Sequence, residues 1–184
     1  MEYKTREYPL FSACGLNCGL CPRHYTDGTS RCPGCAGEGF SEVHPACGIL
    51  SCCQRKSIEF CFECDDFPCK KYNGADLTDS FITHKNQISD LERAKRIGMD
   101  ACKAGLNEKV KALEVLLKTY DDGRRKSFFC NAVNLLDLEY VKTVVERSAK
   151  EVPPDSALKE KVKSCVRIFE EIAEQKGVSI KLRK

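Results

Sequence analysis

The spacing of the cysteines constrains this chain more than any other feature. Of its 14 cysteines, ten form a ladder of metal-ligand intervals. It runs Cys14-x3-Cys18-x2-Cys21, Cys32-x2-Cys35, Cys47-x4-Cys52 and Cys61-x2-Cys64-x4-Cys69. An eleventh, Cys53, sits beside Cys52. Two thiolates separated by two residues can bite one ion, because a tight turn brings both sulfurs to the same point. Three such pairs with single cysteines at short offsets predict metal sites. The expected ligands are therefore Cys14, Cys18, Cys21, Cys32, Cys35, Cys47, Cys52, Cys61, Cys64 and Cys69. His24 and His44 lie inside the ladder and are read as turn residues.

Composition shifts near Tyr72. Residues 1–72 carry eleven cysteines, five of the seven prolines and few long apolar periodicities. Such a segment buries too little apolar surface to offset its conformational entropy unaided. Structural zinc contributes on the order of 10–16 kcal/mol of apparent binding energy, ample for a module of this size. The expected local structure is knuckles and turns, with one short helix near Gly48 to Lys56. The domain division read from this shift is 1–72, a cysteine-rich metal-binding domain, and 73–184, a helical domain.

Residues 73–184 read as four to five helices. Leu77, Phe81, Ile88 and Leu91 recur at helical spacing, with Asp76 or Thr78 as the N-cap. Leu106, Val110, Leu113, Leu117 and Tyr120 form a second stripe, expected to start near Gly105 or Asn107 and to stop at Gly123. Phe128, Phe129, Ala132, Val133 and Leu136 follow. Asp137 is expected to cap a helix carrying Leu138, Val141, Val144 and Val145. Pro153 and Pro154 then break the chain. A last helix is expected from Asp155 or Ser156 to Gly177, with Leu158, Val162, Val166, Phe169 and Ile172 on one face. The fold class is thus a small metal-stabilised cysteine-rich knuckle domain followed by an all-α helical bundle, with little β.

The segment from Ala13 to Tyr72 resembles the uncharacterised cysteine-rich family known as domain of unknown function 3795. The resemblance rests on the opening Cys14 to Pro22, the middle Cys32 to Cys35, the Cys47 to Cys52 interval, and the closing Cys61 to Cys69 with Phe67 and Pro68. It covers about a third of the chain and implies zinc binding without a known reaction. Cys53 is an addition that the family pattern does not require.

The ten cysteines suit two four-thiolate zinc sites, or one zinc and one [4Fe–4S] cluster; spacing does not separate these. Cys14-x3-Cys18-x2-Cys21 is also the spacing of radical S-adenosylmethionine enzymes, but the alternating strands and helices of their barrel are missing from the pattern. Cys32-Pro33-Gly34-Cys35 resembles a redox dithiol, but no amphipathic helix follows it, so a knuckle is expected. Gly123-Arg124-Arg125-Lys126-Ser127 offers an anion site at a helix start, whose cations would lower the pKa of Cys130. The expected reading is the plainer one, a solvated basic loop before a buried cysteine. Cys102 and Cys165 read as core.

The formal charge of +3 is small, and residues 1–72 hold 8 Lys and Arg against 9 Asp and Glu. Such a balance argues against a phosphate-backbone binder. No Gly-rich phosphate loop or hydrolase triad occurs. No run approaches a membrane span, and the first ten residues lack a secretory apolar core, so a cytoplasmic protein is expected. The functional expectation is a non-catalytic metal-binding module that presents a surface to a protein partner. An iron–sulfur protein and a nucleic-acid-binding knuckle are the alternatives.

Overall fold

A computed structural model describes residues 3–75 and 77–183. Among them there is no strand. The cysteine-rich segment is a string of turns carrying two short helices, α1 (Phe40–Val43) and α2 (Gly48–Arg55). Cys47 caps α2, its sulfur accepting from the Leu50 amide at 3.4 Å, so this helix begins at a ladder cysteine. The short helix expected near Gly48 is present. Turns at other ladder cysteines take 3-10 form, as at Cys18–Leu20 and Cys61–Glu63.

Five helices follow: α3 (Gln87–Ile97), α4 (Met99–Tyr120), α5 (Lys126–Leu135), α6 (Leu138–Glu151) and α7 (Leu158–Gln175). The 22-residue α4 touches all four others. It buries Leu106, Leu113, Leu116 and Tyr120, a stripe at intervals of three, four and seven that keeps one face inward. Helix α5 is buried from Phe129 to Leu135, Asn131 and Asn134 included, between α4 and the turns at Cys18–Tyr25. Helix α7 faces inward through Val162, Cys165, Ile168, Phe169 and Ile172.

Three boundaries differ from expectation. The first helix starts at Gln87, not near Leu77, and Leu77 and Phe81 are exposed. Residues around Asp79 are held instead as a loop: its carboxylate accepts from the His84 amide at 2.8 Å and the Arg183 amide at 2.7 Å. The expected cap Asp76 lies outside the described residues. Helix α4 begins at Met99 and runs through Gly105, because Gly98, at positive φ (+87°), supplies the break that ends α3. The last helix starts at Leu158 with Ala157 as its N-cap, after Pro153 and Pro154.

One apolar core crosses from the turns into the helices. Phe11, Leu20, Phe60 and Tyr72 lie in the same buried cluster as Leu91, Leu113, Phe129, Ile168 and Phe169. Leu20 and Phe129 are fully enclosed. A smaller cluster under the cysteines joins Ala13, Cys32, Cys35, Phe40, Leu50 and Cys53.

Candidate metal centre

The turns aim the ladder cysteines inward. In Cys18-x2-Cys21 the Cys21 amide donates to the Cys18 carbonyl at 3.1 Å, and in Cys61-x2-Cys64 the Cys64 amide repeats this at 3.1 Å. The Cys35 amide donates to the Pro9 carbonyl at 2.8 Å and the Cys32 amide to the Arg23 carbonyl at 2.9 Å. Gly34 (φ +95°) makes this close approach feasible: a Cβ there would stand 2.5 Å from the Pro9 oxygen. Likewise the Cys61 amide donates to the Ala13 carbonyl at 2.9 Å, tying the last knuckle to the first.

The thiols fall into two adjoining neighbourhoods in sequence order, which meet where Cys14 lies within the field acting on Cys53. The first holds Cys14, Cys18, Cys21, Cys32, Cys35 and Cys47. Cys18 sits within the fields of Cys35, Cys14, Cys21 and Cys32, and Cys14 within those of Cys35 and Cys47. Burial pushes the Cys14 thiol up to about 11 despite a 3.1 Å hydrogen bond with Ser12 Oγ, and lifts Cys18 well above its usual value. Repulsion between neighbouring sulfurs adds to both shifts. Several thiolates can share such a space only with a cation among them.

The second neighbourhood holds Cys52, Cys53, Cys61, Cys64 and Cys69. All five line one open cleft of about 450 Å³, with Ile58, Phe67 and Tyr72 among its apolar surfaces and Lys56, Lys70 and Lys71 around it. The Cys53 and Cys61 sulfurs are 3.4 Å apart. Hydrogen bonding between these two holds Cys61 down to about 7 and Cys53 high. The Lys56 ammonium donates to the Cys64 sulfur and to Asp66, each at 2.9 Å. Cys53, left out of the expected ligand set, is thus the buried neighbour of Cys61. Its signal was its place on α2 one residue after Cys52, on the inward face.

Among the described residues, no group of three or more His, Cys, Asp or Glu side chains stands in ready metal-holding geometry. The donors nonetheless suit a thiophilic metal: they are sulfurs, and the histidines are engaged elsewhere. His24 Nδ1 is 2.9 Å from the Cys32 carbonyl and its ring packs edge-on to Tyr25. His44 stacks on Phe40 with centroids 4.4 Å apart.

Before α5 the basic segment is the expected loop ahead of a buried cysteine, and its amides are taken up from within, which leaves no anion site. The Asp121 carboxylate accepts from the Gly123 and Arg125 amides at 3.1 and 2.9 Å, and Asp122 from the Arg124 amide at 3.0 Å. Lys126 reaches the Tyr25 carbonyl at 3.2 Å. Cys130 is fully buried, and burial raises its thiol to about 12, the reverse of activation. Cys165 is fully buried too; Cys102 is half-buried.

Residues 10–74 match the model of a family described as "Protein of unknown function (DUF3795)". The match spans all ten ladder cysteines together with Cys53, and ends before the loop that leads into α3. No curated protein and no solved structure matches the chain. No helix among the described residues is long and apolar enough to cross a membrane.

Proposed function

We propose that residues 10–74 form a structural metal module with two thiolate sets, and that the protein serves as a cytoplasmic, non-catalytic scaffold for a protein partner. The observation that carries this reading is the gathering of eleven cysteines into two adjacent groups, with one sulfur–sulfur contact of 3.4 Å. Zinc bonds to thiolate at about 2.3 Å, which sets the edge of its tetrahedron at roughly 3.8 Å, so sulfurs this close can share an ion after a small shift. Cys14, Cys18, Cys21, Cys32, Cys35 and Cys47 would supply the first zinc. Cys52, Cys53, Cys61, Cys64 and Cys69 would supply the second. Zinc would contribute folding energy here and no redox chemistry.

A second reading is favoured for the second set alone. Five thiols around an open cleft leave more room than one ion needs, and three lysines would balance the negative charge of a thiolate-held iron–sulfur cluster. Elemental analysis with a visible spectrum, on protein purified without air, decides between them. Two zinc per chain and a colourless sample are expected. Iron with acid-labile sulfide would replace zinc in the second set, and a chain containing neither metal would overturn the proposal.

A further inference from the structure

Away from the sulfurs, a polar pocket of about 420 Å³ opens at the seam where the Cys14–Cys18 loop meets α3, α4 and α6. Its walls carry both signs of charge: Asp90 and Arg93 from α3, Lys109 from α4, and Asp137 and Glu139 at the start of α6. Yet among the described residues no ion pair joins Asp90 to Lys109 or to Arg93. Neutral partners hold the charges apart. The Asn17 amide donates to Asp90 Oδ2 at 2.8 Å and to Asn134 Oδ1 at 2.9 Å. The Lys109 ammonium donates to the Asn134 backbone carbonyl at 3.3 Å. Burial raises the Asp90 carboxyl and lowers the Lys109 ammonium, so both charges are partly stripped of water.

Opposite charges that share a poorly hydrated space normally pair with each other, because each otherwise bears its desolvation cost alone. Here Asp90 takes the Asn17 amide and Lys109 a helix carbonyl instead. A ligand bearing both charges would satisfy both walls. The pocket also has a helix-interior glycine on its rim. Glycine is disfavoured in a helix interior relative to alanine, and a Cβ added at Gly105 would meet nothing within 4 Å except the Arg93 guanidinium at 3.8 Å. Packing therefore does not require glycine at this position, whereas an open pocket does.

We infer that this seam pocket binds a small zwitterion of amino-acid size, its ammonium facing Asp90 and Asp137 and its carboxylate facing Lys109 and Arg93. The volume falls within the range of small-molecule sites. The inference goes beyond the metal reading, since Asn17 belongs to the metal loop but binds no metal, and it stands whichever metal the sulfurs take.

The test is a thermal-shift and calorimetric screen of the metal-replete protein against the free amino acids, each beside its N-acetyl and its amide derivative. At least one free amino acid is expected to bind and to raise Tm by a few degrees at saturating concentration, and both singly charged derivatives are expected to bind at least tenfold more weakly. Asp90→Asn and Lys109→Met should each weaken binding by a similar factor, and Gly105→Ala should raise the unliganded Tm while weakening binding. Absence of binding by every amino acid at millimolar concentration would overturn the inference. So would derivatives that bind as well as the parent, a comparison that needs no variant to fold.

Discussion

The turns that carry the cysteines and the helices that follow solve the same folding problem by different means. Helices α4 and α7 bury apolar stripes at regular spacing, so their order comes from the chain itself. The first 72 residues contribute a handful of apolar anchors, chiefly Phe11, Leu20, Phe60 and Tyr72, and every one of them is buried in the helices' core. The cysteine-rich segment is therefore short of interior twice over. It borrows one part from the helices, and under the proposed function it obtains the other from metal.

Under the proposed function, the sharpest way to break this comparison is to remove the metal. Structural zinc is worth on the order of 10–16 kcal/mol against roughly 5–15 kcal/mol for a whole domain. Replacing Cys18 and Cys21 together with Ser is expected to unfold the turns and, through Leu20 and Phe11, to take the helices with them. Far-UV circular dichroism during denaturant titration should show one lowered transition. A helical signal that melts as in the wild type would show that the two regions are independent.

A smaller effect is expected at the joint itself. Gly15 (φ +90°) lies against the start of α3, where an added Cβ would stand 2.1 Å from the Gln87 carbonyl oxygen and 2.7 Å from Leu91 Cγ. Gly15→Ala is expected to cost about 2 kcal/mol or more, a fall in Tm of roughly 5 °C or more. Gly28→Ala shares the positive φ of +74° without any such neighbour and should cost less. Equal losses for the two would mean that the contact with α3 contributes nothing.

The smallest expected effect concerns the loop before α3 and the C-terminal tail. Burial alone would raise the Asp79 carboxyl, but the Arg183 guanidinium at 2.7 Å, with the Arg183 and His84 amides, outweighs it and holds the group well below the usual carboxylate range. A depressed folded value means that the contribution is present above the unfolded pKa of about 3.9 and is lost as pH falls below it. Asp79→Asn should lower stability near neutral pH by about 1–3 kcal/mol, and the gap from wild type should narrow as pH falls toward 2. A gap independent of pH would remove the ion pair from the account.

Much of this was legible in the residues. The inward face of α4 and the short α2 follow from spacing, whereas the change from turns to long helices comes at Gln87 and not near Tyr72. Leu77 and Phe81 misled because they continue the period of Ile88 and Leu91 into a loop that Asp79 holds through Arg183, a partner 104 residues away. Gly105 read as a helix start because a lone glycine carries no sign of which neighbours surround it. Cys53 was passed over because the ladder's arithmetic closed without it, whereas its contact with Cys61 depends on how α2 is turned. Asn17 gave no signal at all: one amide bridging α3 and α5 cannot be read from local sequence.

That bridge has a consequence for the order in which the protein is made. Asn17 and Asn134 are 117 residues apart. At typical synthesis rates roughly 6–23 seconds separate their arrival. The cysteine loop thus emerges from the ribosome long before the wall that fixes it, and its thiols spend that interval without the helices that later enclose Leu20. Under the proposed function, timely delivery of metal, or protection of reduced sulfur, during that window would decide how much of the newly made chain reaches its final form.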